Sequence, residues 1–161
     1  MSIQSHPEPR RDRGGDNGRD ENDGEPHGRE PASGIALVDG ANVAHCAEGE
    51  PPRVSHILAV RDKLLEEGLK PIIVADAALR HRIDDPAAYE RLVEAGDVHQ
   101  APAGTDADYF ILSFARELDA SIVSNDRFRD RMKQFPEARD RVIRFMIVQD
   151  EVVLERRTKR R

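Results

Sequence analysis

Short apolar runs without polar interruption stand out along the middle of the chain. They cover Ile35–Val38, Ile72–Ala75 and Ile122–Val123, and a polar residue follows each of them directly. Unbroken runs of this length are typical of strands that are buried on both faces of a parallel sheet. The pattern therefore predicts a buried sheet whose strands end at a common polar edge.

The segments between these runs carry apolar residues at helical spacing. The clearest helix begins at Thr105 and places Phe110 and Phe114 on one face, and Gly68 and Gly96 are expected to end the two preceding helices. Strands that alternate with helices predict an α/β fold with a mainly parallel central sheet flanked by helices. The predicted helices cover residues 53–67, 85–96, 105–118 and a segment that starts at 125 and carries Phe128, Met132 and Phe135; weaker strands cover 98–100, 142–148 and 152–154, the last two as a hairpin.

The two ends of the chain differ in composition from its middle. Residues 1–33 are mostly Gly, Pro, Asp, Glu and Arg, with almost no large apolar side chain. Such a segment cannot bury enough surface to offset its loss of conformational entropy, so we expect a disordered, charged N-terminal tail. Residues 34–155 form the single predicted domain, and residues 156–161 form a basic C-terminal tail.

Charge and cysteine content narrow the class of protein. A formal net charge of -6 argues against a general polyanion binder but allows a local basic surface. Cys46 is the only cysteine, which excludes an internal disulfide and any zinc site that needs several thiolates. No apolar run approaches the roughly 20 residues that a membrane span needs, and the N-terminus does not resemble a signal peptide. We therefore expect a cytoplasmic protein without a membrane partner, and a homo-oligomer stays open.

Acidic and amide side chains are concentrated where the predicted strands end and helices begin. Asp39 follows the first apolar run, and Gly40 lets the backbone turn sharply beside it. In open α/β sheets, ligands bind outside the carboxyl ends of the strands. Asp130 lies four residues after Asp126, on the same face of the helix predicted there. The side chains predicted to reach this edge are Asp39, Asn42, Asp106, Asp108, Asp126 and Asp130.

A cluster of carboxylates needs a neutralising partner. Like charges a few Å apart raise the pKa of one another and destabilise the fold. No Lys or Arg occupies the strand-end positions that face the cluster, and a set of oxygen ligands favours Mg²⁺ or Mn²⁺ over zinc. Such a cation would activate a water molecule and neutralise charge on a phosphodiester. The predicted cofactor is therefore Mg²⁺ or Mn²⁺.

Most of these carboxylates also have a local structural explanation. Asp106 could cap its own helix, and Asp126 could cap the helix predicted after it. Asp130 could pair with Arg127 or Arg131 on a solvated face. Asp39 is the hardest to explain locally, because it follows a fully buried strand and precedes a glycine. The metal-site hypothesis therefore depends on convergence and not on any single acid.

Three segments together resemble a known family. They are Leu37–Val43, Asp106–Ile111 and Ile122–Asp130, with Asp-Gly-x-Asn-Val in the first and Ser-Asn-Asp-x-x-x-Asp in the third. They resemble the NYN branch of the PIN-like nucleases, and within it the regnase-like ribonucleases that adjoin a CCCH zinc finger in animals. The resemblance extends from about residue 35 to 154. It implies a PIN-like three-layer sandwich and a metal-dependent endoribonuclease that acts on single-stranded RNA and leaves 5′-phosphate and 3′-hydroxyl ends.

The resemblance also implies roles for particular residues. It places Asp39, Asp108, Asp126 and Asp130 around the metal, with Asn42 holding the geometry. These relatives carry an adjacent acid pair where this chain has Ala107-Asp108, so Asp106 is a further candidate metal ligand, and whether it replaces the missing acid stays open. Their basic run before this helix is absent here. The RNA-binding candidates are instead Arg80, Arg82, Arg127, Arg129 and the tail over 156–161.

Three other functions are alternatives to the nuclease hypothesis. Loss of the paired acid favours a catalytically weak NYN domain that binds RNA or serves as an interaction module. A phospho-acceptor receiver module needs a lysine at the end of its last parallel strand, and the strand predicted over 142–148 offers only Arg144, in its middle. A haloacid-type phosphatase needs a second acid two residues after Asp39, where this chain has Ala41. The sequence leaves open the RNA target, the choice between RNA and DNA, and the number of metal ions.

Overall fold

The structure is a computed structural model that describes residues 31, 33–102 and 104–155. The predicted N-terminal tail over 1–33 lies outside the described residues except at positions 31 and 33. The predicted basic tail over 156–161 lies wholly outside them. Within the described part, none of the helices combines the length and the apolar character needed to cross a bilayer.

A parallel sheet of five strands forms the centre of the fold. Its strands lie in the order β3-β2-β1-β4-β5, and every neighbouring pair is parallel. In the central strand, Val38 lies opposite Ile73 on one side and Val123 on the other. The carboxyl ends of β1 and β4 are therefore adjacent. The strands are β1 (Ile35–Asp39), β2 (Lys70–Asp76), β3 (Val98–Ala101), β4 (Ser121–Val123) and β5 (Val142–Ile143).

Helices and one hairpin cover the two faces of this sheet. Two short 3-10 helices, Leu79–His81 and Arg129–Arg131, follow β2 and β4. An antiparallel hairpin of β6 (Phe145–Val148) and β7 (Glu151–Leu154) ends the described chain. The α-helices are α1 (Gly40–Ala44), α2 (Val54–Glu66), α3 (Pro86–Glu94), α4 (Ala107–Leu118) and α5 (Ala138–Arg141).

Alternate side chains of β1 build two separate cores. Val38 packs in a core with residues of α2, α3 and the hairpin, including Ile57 and Tyr89. Leu37 packs in the opposite core with residues of α4 and α5, including Ile111. Burying a large aliphatic side chain contributes roughly 1.5–3 kcal/mol, so both faces of the strand stabilise the fold. The predicted α/β three-layer sandwich with a parallel central sheet is confirmed.

The prediction of a helix that starts at residue 125 is wrong. Only a single 3-10 turn forms at 129–131, and Phe128 has a positive φ of 50°. The Asp126 carboxylate accepts a hydrogen bond from the backbone N–H of Phe128 at 2.8 Å, and such local bonds compete with a helix. Phe128 and Phe135 nevertheless reach the second core, which explains their helix-like spacing.

The strand predicted over residues 142–148 is divided between two sheets. Val142 and Ile143 pair with β4, whereas the segment from Phe145 pairs with β7, and Arg144 stands between them. The predicted hairpin across Gln149 and Asp150 is present. α1 and α5 lie in segments where no helix was expected, because each is too short for a periodic pattern to show.

Candidate active site

Asp39 lies at the centre of the polar edge. It is the last residue of β1 and the N-cap of α1, where one of its oxygens accepts a hydrogen bond from the backbone N–H of Asn42 at 3.3 Å. Its other oxygen accepts one from the Ser124 hydroxyl at 3.0 Å. Only 8% of the residue is exposed. Burial, with smaller contributions from the charges of Asp108 and Asp126, raises the pKa of Asp39 to about 6 against the lowering effect of the two hydrogen bonds.

Gly40 allows α1 to begin directly against the neighbouring strand. A Cβ atom at this position would lie 3.0 Å from the carbonyl oxygen of Val74 and 3.2 Å from Cβ of Ala75. The described backbone has no positive φ at Gly40, so the glycine is needed for space and not for a left-handed turn. This close approach keeps the Asp39 carboxylate at the end of its strand.

Asn42, Ser124 and Asn125 join the ends of β1 and β4. The side-chain oxygen of Asn42 accepts a hydrogen bond from the backbone N–H of Asn125 at 2.8 Å. The Ser124 hydroxyl donates to Asp39 and accepts from the backbone N–H of Asp126 at 3.1 Å. The Asn125 side chain bonds both backbone groups of Phe145 at 3.0 Å. These bonds hold the two strand ends, and with them Asp39 and Asp126, in one arrangement.

Four carboxylates meet at this edge, and we call Asp39, Asp108, Asp126 and Asp130 the acid cluster. Asp108 lies half-buried in the first turn of α4. Burial raises its pKa, and the charges of Asp126 and Asp130 raise it further. The charges of Asp108 and Asp126 also raise the pKa of Asp39. Carboxylates from three chain segments therefore lie near enough to repel one another. The positive end of the α4 dipole partly offsets this repulsion.

Asp106 is engaged in local contacts. Its carboxylate caps α4 by accepting hydrogen bonds from the backbone N–H groups of Asp108 at 3.0 Å and Tyr109 at 3.3 Å. It also forms an ion pair with Arg131. Its charge is not among those that raise the pKa of Asp39 or Asp108. The structure therefore gives Asp106 the capping role that the sequence left open.

The four predicted RNA-binding arginines lie on two sides of the acid cluster. Arg127 and Arg129 line a cleft together with Asp126. Arg80 and Arg82 lie instead in the turn after β2, where Arg80 donates to the Gln100 side-chain oxygen at 2.9 Å and lies 3.5 Å from a Glu90 oxygen. Arg82 is exposed. The structure does not bring all four arginines together.

The acid cluster offers the carboxylate oxygens that a hard divalent cation prefers as ligands. Within the described residues, no three His, Cys, Asp or Glu side chains stand in an arrangement that could by itself hold a metal ion. Mg²⁺ does not require such an enclosure, because it usually binds through one or two carboxylates and keeps several waters or substrate phosphates. The mutual repulsion of Asp39, Asp108 and Asp126 would be relieved by such a cation.

A sequence model of a protein family identifies the relatives of this chain. The model for the Zc3h12a-like ribonuclease NYN domain matches residues 34–161. The chain belongs to this family. No curated protein matches its sequence. The resemblance to NYN nucleases expected from the sequence is thereby confirmed, and the described domain is a ribonuclease-type NYN domain.

Two solved structures share the fold of this NYN domain. One is nuclear proteinaceous RNase P 2 (PRORP2) from A. thaliana, with a TM-score of 0.61 and 23% identity over 75% of this chain. The other is Arabidopsis thaliana nuclear protein-only RNase P 2, with a TM-score of 0.60 and 24% identity over 74% of this chain. The chain spans 29% of the length of each. The likeness to them is one of fold.

Four residues near the acid cluster were not among the predicted site residues. Ser124 and Asn125 lie inside the motif that carried the resemblance, and their position directly after a buried strand could have marked them. Arg139 and Arg144 left no such signal, because they reach the same cleft from two different segments. Arg139 reaches the cleft from α5, and Arg144 reaches it from the break between β5 and β6.

Proposed function

We propose that this NYN domain is a Mg²⁺- or Mn²⁺-dependent endoribonuclease that hydrolyses phosphodiester bonds of single-stranded RNA. The observation that supports this most is the mutual repulsion of Asp39, Asp108 and Asp126 at one sheet edge in a member of a ribonuclease family. Folding keeps these charges together although their separation would stabilise the chain. An arrangement of that kind is typical of a cation-binding active site.

The residues of the edge have separate roles in this proposal. Asp39, Asp108 and Asp126 would hold the cation, with Asp130 beside them. When bound, the cation supplies activation of a water molecule and neutralises charge on the scissile phosphodiester. Asn42 and Ser124 act as positioning residues, because they tie the end of β1 to the backbone that carries Asp126. Without a cation the cluster would repel RNA, so chelation should abolish both close approach and cleavage.

A cleavage assay with matched variants tests the proposal. End-labelled single-stranded RNA and the corresponding duplex are incubated with the wild type in Mg²⁺, in Mn²⁺ and in excess chelator, and with Asp39→Asn in Mg²⁺. Asp150→Asn is the control, because it makes the same chemical change in the exposed hairpin turn, where asparagine tolerates the positive φ of 65°. We expect cleavage of single strands by the wild type and the control in the divalent cation only.

Binding of the cation can be measured apart from activity. Mg²⁺ should raise the thermal unfolding midpoint of the wild type and of Asp150→Asn, since a ligand that binds the folded state stabilises it. It should have a much smaller effect on Asp39→Asn. Equal cleavage by wild type and Asp39→Asn, together with equal Mg²⁺ stabilisation of both, would overturn the proposal.

A second function, RNA binding with little catalysis, is favoured by one observation. Asp106 pairs with Arg131 and caps α4, and position 107 is an alanine, so the start of α4 directs only Asp108 toward the cluster. A site with one acid fewer than its relatives could bind RNA and cleave it slowly. Retention of labelled RNA by the wild type without cleavage in Mg²⁺ or Mn²⁺ would identify this case.

A further inference from the structure

A cleft of about 440 Å³ opens beside the acid cluster on the β5 side of the sheet. Its volume lies within the roughly 300–1,000 Å³ that is typical of ligand sites. Arg127 and Arg129 enter it from the turn after β4, Arg139 from α5, and Arg144 from the break between β5 and β6. We call these four residues the arginine cleft. Asp126 and Glu155 are the carboxylates in its wall.

The arginine cleft reverses the charge of the chain locally. The protein has a formal net charge of -6, yet four guanidinium groups face two carboxylates here. Like charges that a fold gathers in this way repel one another unless an anion lies between them. A cleft lined by one sign of charge also concentrates ligands of the opposite sign.

Most arginines of the cleft have no carboxylate partner of their own. Within residues 31, 33–102 and 104–155, Arg127, Arg129 and Arg139 form no ion pair, and Arg144 approaches Glu155 only to 4.0 Å between two exposed side chains. Exposed pairs at this distance contribute little. Several arginines outside the cleft do form ion pairs, among them Arg80 with Glu90, Arg116 with Glu137, Arg131 with Asp106 and Arg141 with Asp119.

The chemistry of the cleft matches a nucleic-acid backbone. Guanidinium groups bind phosphate oxygens through two parallel hydrogen bonds, which ammonium groups cannot do. Met132 and Val142 add apolar surface on which a ribose or base can lie. Asp126 belongs both to the acid cluster and to the cleft wall, so an anion in the cleft lies next to the proposed reaction centre.

We infer that the arginine cleft holds backbone phosphates of the RNA segment adjoining the scissile phosphodiester, with Arg139 and Arg144 as phosphate-binding residues. The bound strand then leaves the acid cluster across the ends of β4 and β5. On the opposite side, Arg80 already donates a hydrogen bond to Gln100 and forms an ion pair with Glu90, which makes it less available for phosphate. This inference rests on the proposed function, since it takes the acid cluster as the place of reaction.

Equilibrium binding of RNA tests the inference without interference from cleavage. Every protein keeps Asp39 so that the cation site is intact, and a short fluorescein-labelled single-stranded RNA of mixed sequence is titrated by fluorescence anisotropy in Ca²⁺, a hard cation with oxygen ligands, while gel electrophoresis checks that the RNA stays uncleaved. The test variant adds Arg139→Gln and Arg144→Gln. The matched control adds Lys70→Gln and Arg91→Gln, which remove the same two charges at the start of β2 and in α3. Thermal unfolding of each variant checks that the fold is kept.

The expected result is a selective loss of affinity in the test variant. Its dissociation constant should rise about tenfold, and its salt slope should be shallower by about 1.4, since each lost phosphate contact removes about 0.7 for a single strand. The control should stay within about twofold of the parent, because surface charges far from a bound strand act only weakly through screened water. A polyglutamate peptide should compete poorly with the RNA.

The outcomes separate this inference from the proposed function. Equal RNA affinity of the test and control variants would overturn the inference, and so would polyglutamate that competes as well as RNA. If those results accompany RNA cleavage by the wild type, the proposed function stands alone. If the test variant loses affinity as expected while the wild type never cleaves RNA, the arginine cleft is an RNA-binding site and the nuclease proposal alone fails.

Discussion

The acid cluster and the arginine cleft adjoin one another at Asp126, but their side chains are held in opposite ways. Asp39 is almost buried, and both of its oxygens accept hydrogen bonds from fixed neighbours. The residues of the cleft are mostly exposed and, apart from Arg144, carry no ion pair within the described chain. The protein therefore holds Asp39 in place and leaves most arginines of the cleft free to adjust.

This difference corresponds to two chemical tasks. Groups that act on reacting atoms must be held close to one geometry by surrounding contacts. Groups that bind a phosphate backbone need only charge and reach, because they position a strand without reading its bases. Holding a carboxylate in this way destabilises its charged form, as the raised pKa of Asp39, about 6, indicates.

Asp39→Asn should have the largest effect of these variants on cleavage and on stability. Cleavage should fall at least about a hundredfold, since even outer-shell changes at metal sites reduce activity about 10–100-fold. In chelator the same variant should be more stable than the wild type by roughly 1–3 kcal/mol, because it removes a buried charge that the fold disfavours. Cleavage rates and urea unfolding measure the two effects. A variant that is both inactive and less stable would indicate a purely structural role.

The pH dependence of stability tests the same charge in the wild type. The pKa of Asp39 is about 6 in the folded protein and 3.8 in the reference state, so the folded state keeps its proton over a range where the unfolded chain has lost it. Stability in chelator should therefore fall as the pH rises from about 4 to 7, by roughly 3 kcal/mol relative to Asp39→Asn. Urea unfolding at a series of pH values measures this difference. Parallel curves for the two proteins would contradict it.

Gly40→Ala should disturb the acid cluster and leave the arginine cleft intact. The added methyl would meet the carbonyl oxygen of Val74 at 3.0 Å, and overpacking of this kind costs about 1–3 kcal/mol. Cleavage should fall more than RNA binding. Gly34→Ala is the control for a general loss of stability, because alanine would be strained at the φ of 69° there, yet no atom lies within 4 Å of the new Cβ. Similar cleavage by both variants would show that the close approach at Gly40 does not position Asp39.

Asp106→Asn should have the smallest effect. The amide oxygen can still cap α4, and loss of the exposed pair with Arg131 should cost less than about 1 kcal/mol. Cleavage should stay within about threefold of the wild type, whereas Asp108→Asn, two residues away in the acid cluster, should lose most of it. Equal losses in the two variants would instead make Asp106 a metal ligand that replaces the missing acid of the pair.

The sequence predicted most of the scaffold for a physical reason. Unbroken apolar runs can be buried only between two layers, so Ile35–Val38 and Ile122–Val123 predict central parallel strands. The helix from Ala107 was predicted from its apolar stripe and its cap. The segment after Ser124 was predicted wrongly because its aromatic spacing is helical, while short side-chain bonds to the backbone decide its conformation.

What the sequence alone determined about this protein is the order of its strands and helices and the motif residues that stand at strand ends. These are local properties, since burial pattern and neighbouring residues decide them. Only the tertiary structure decided that Asp106 caps a helix while Asp108 faces Asp126, because the two side chains stand two positions apart, or about 200° of helical rotation. It also brought Arg139 and Arg144 beside Arg127 and Arg129, through packing between segments that no periodic pattern connects.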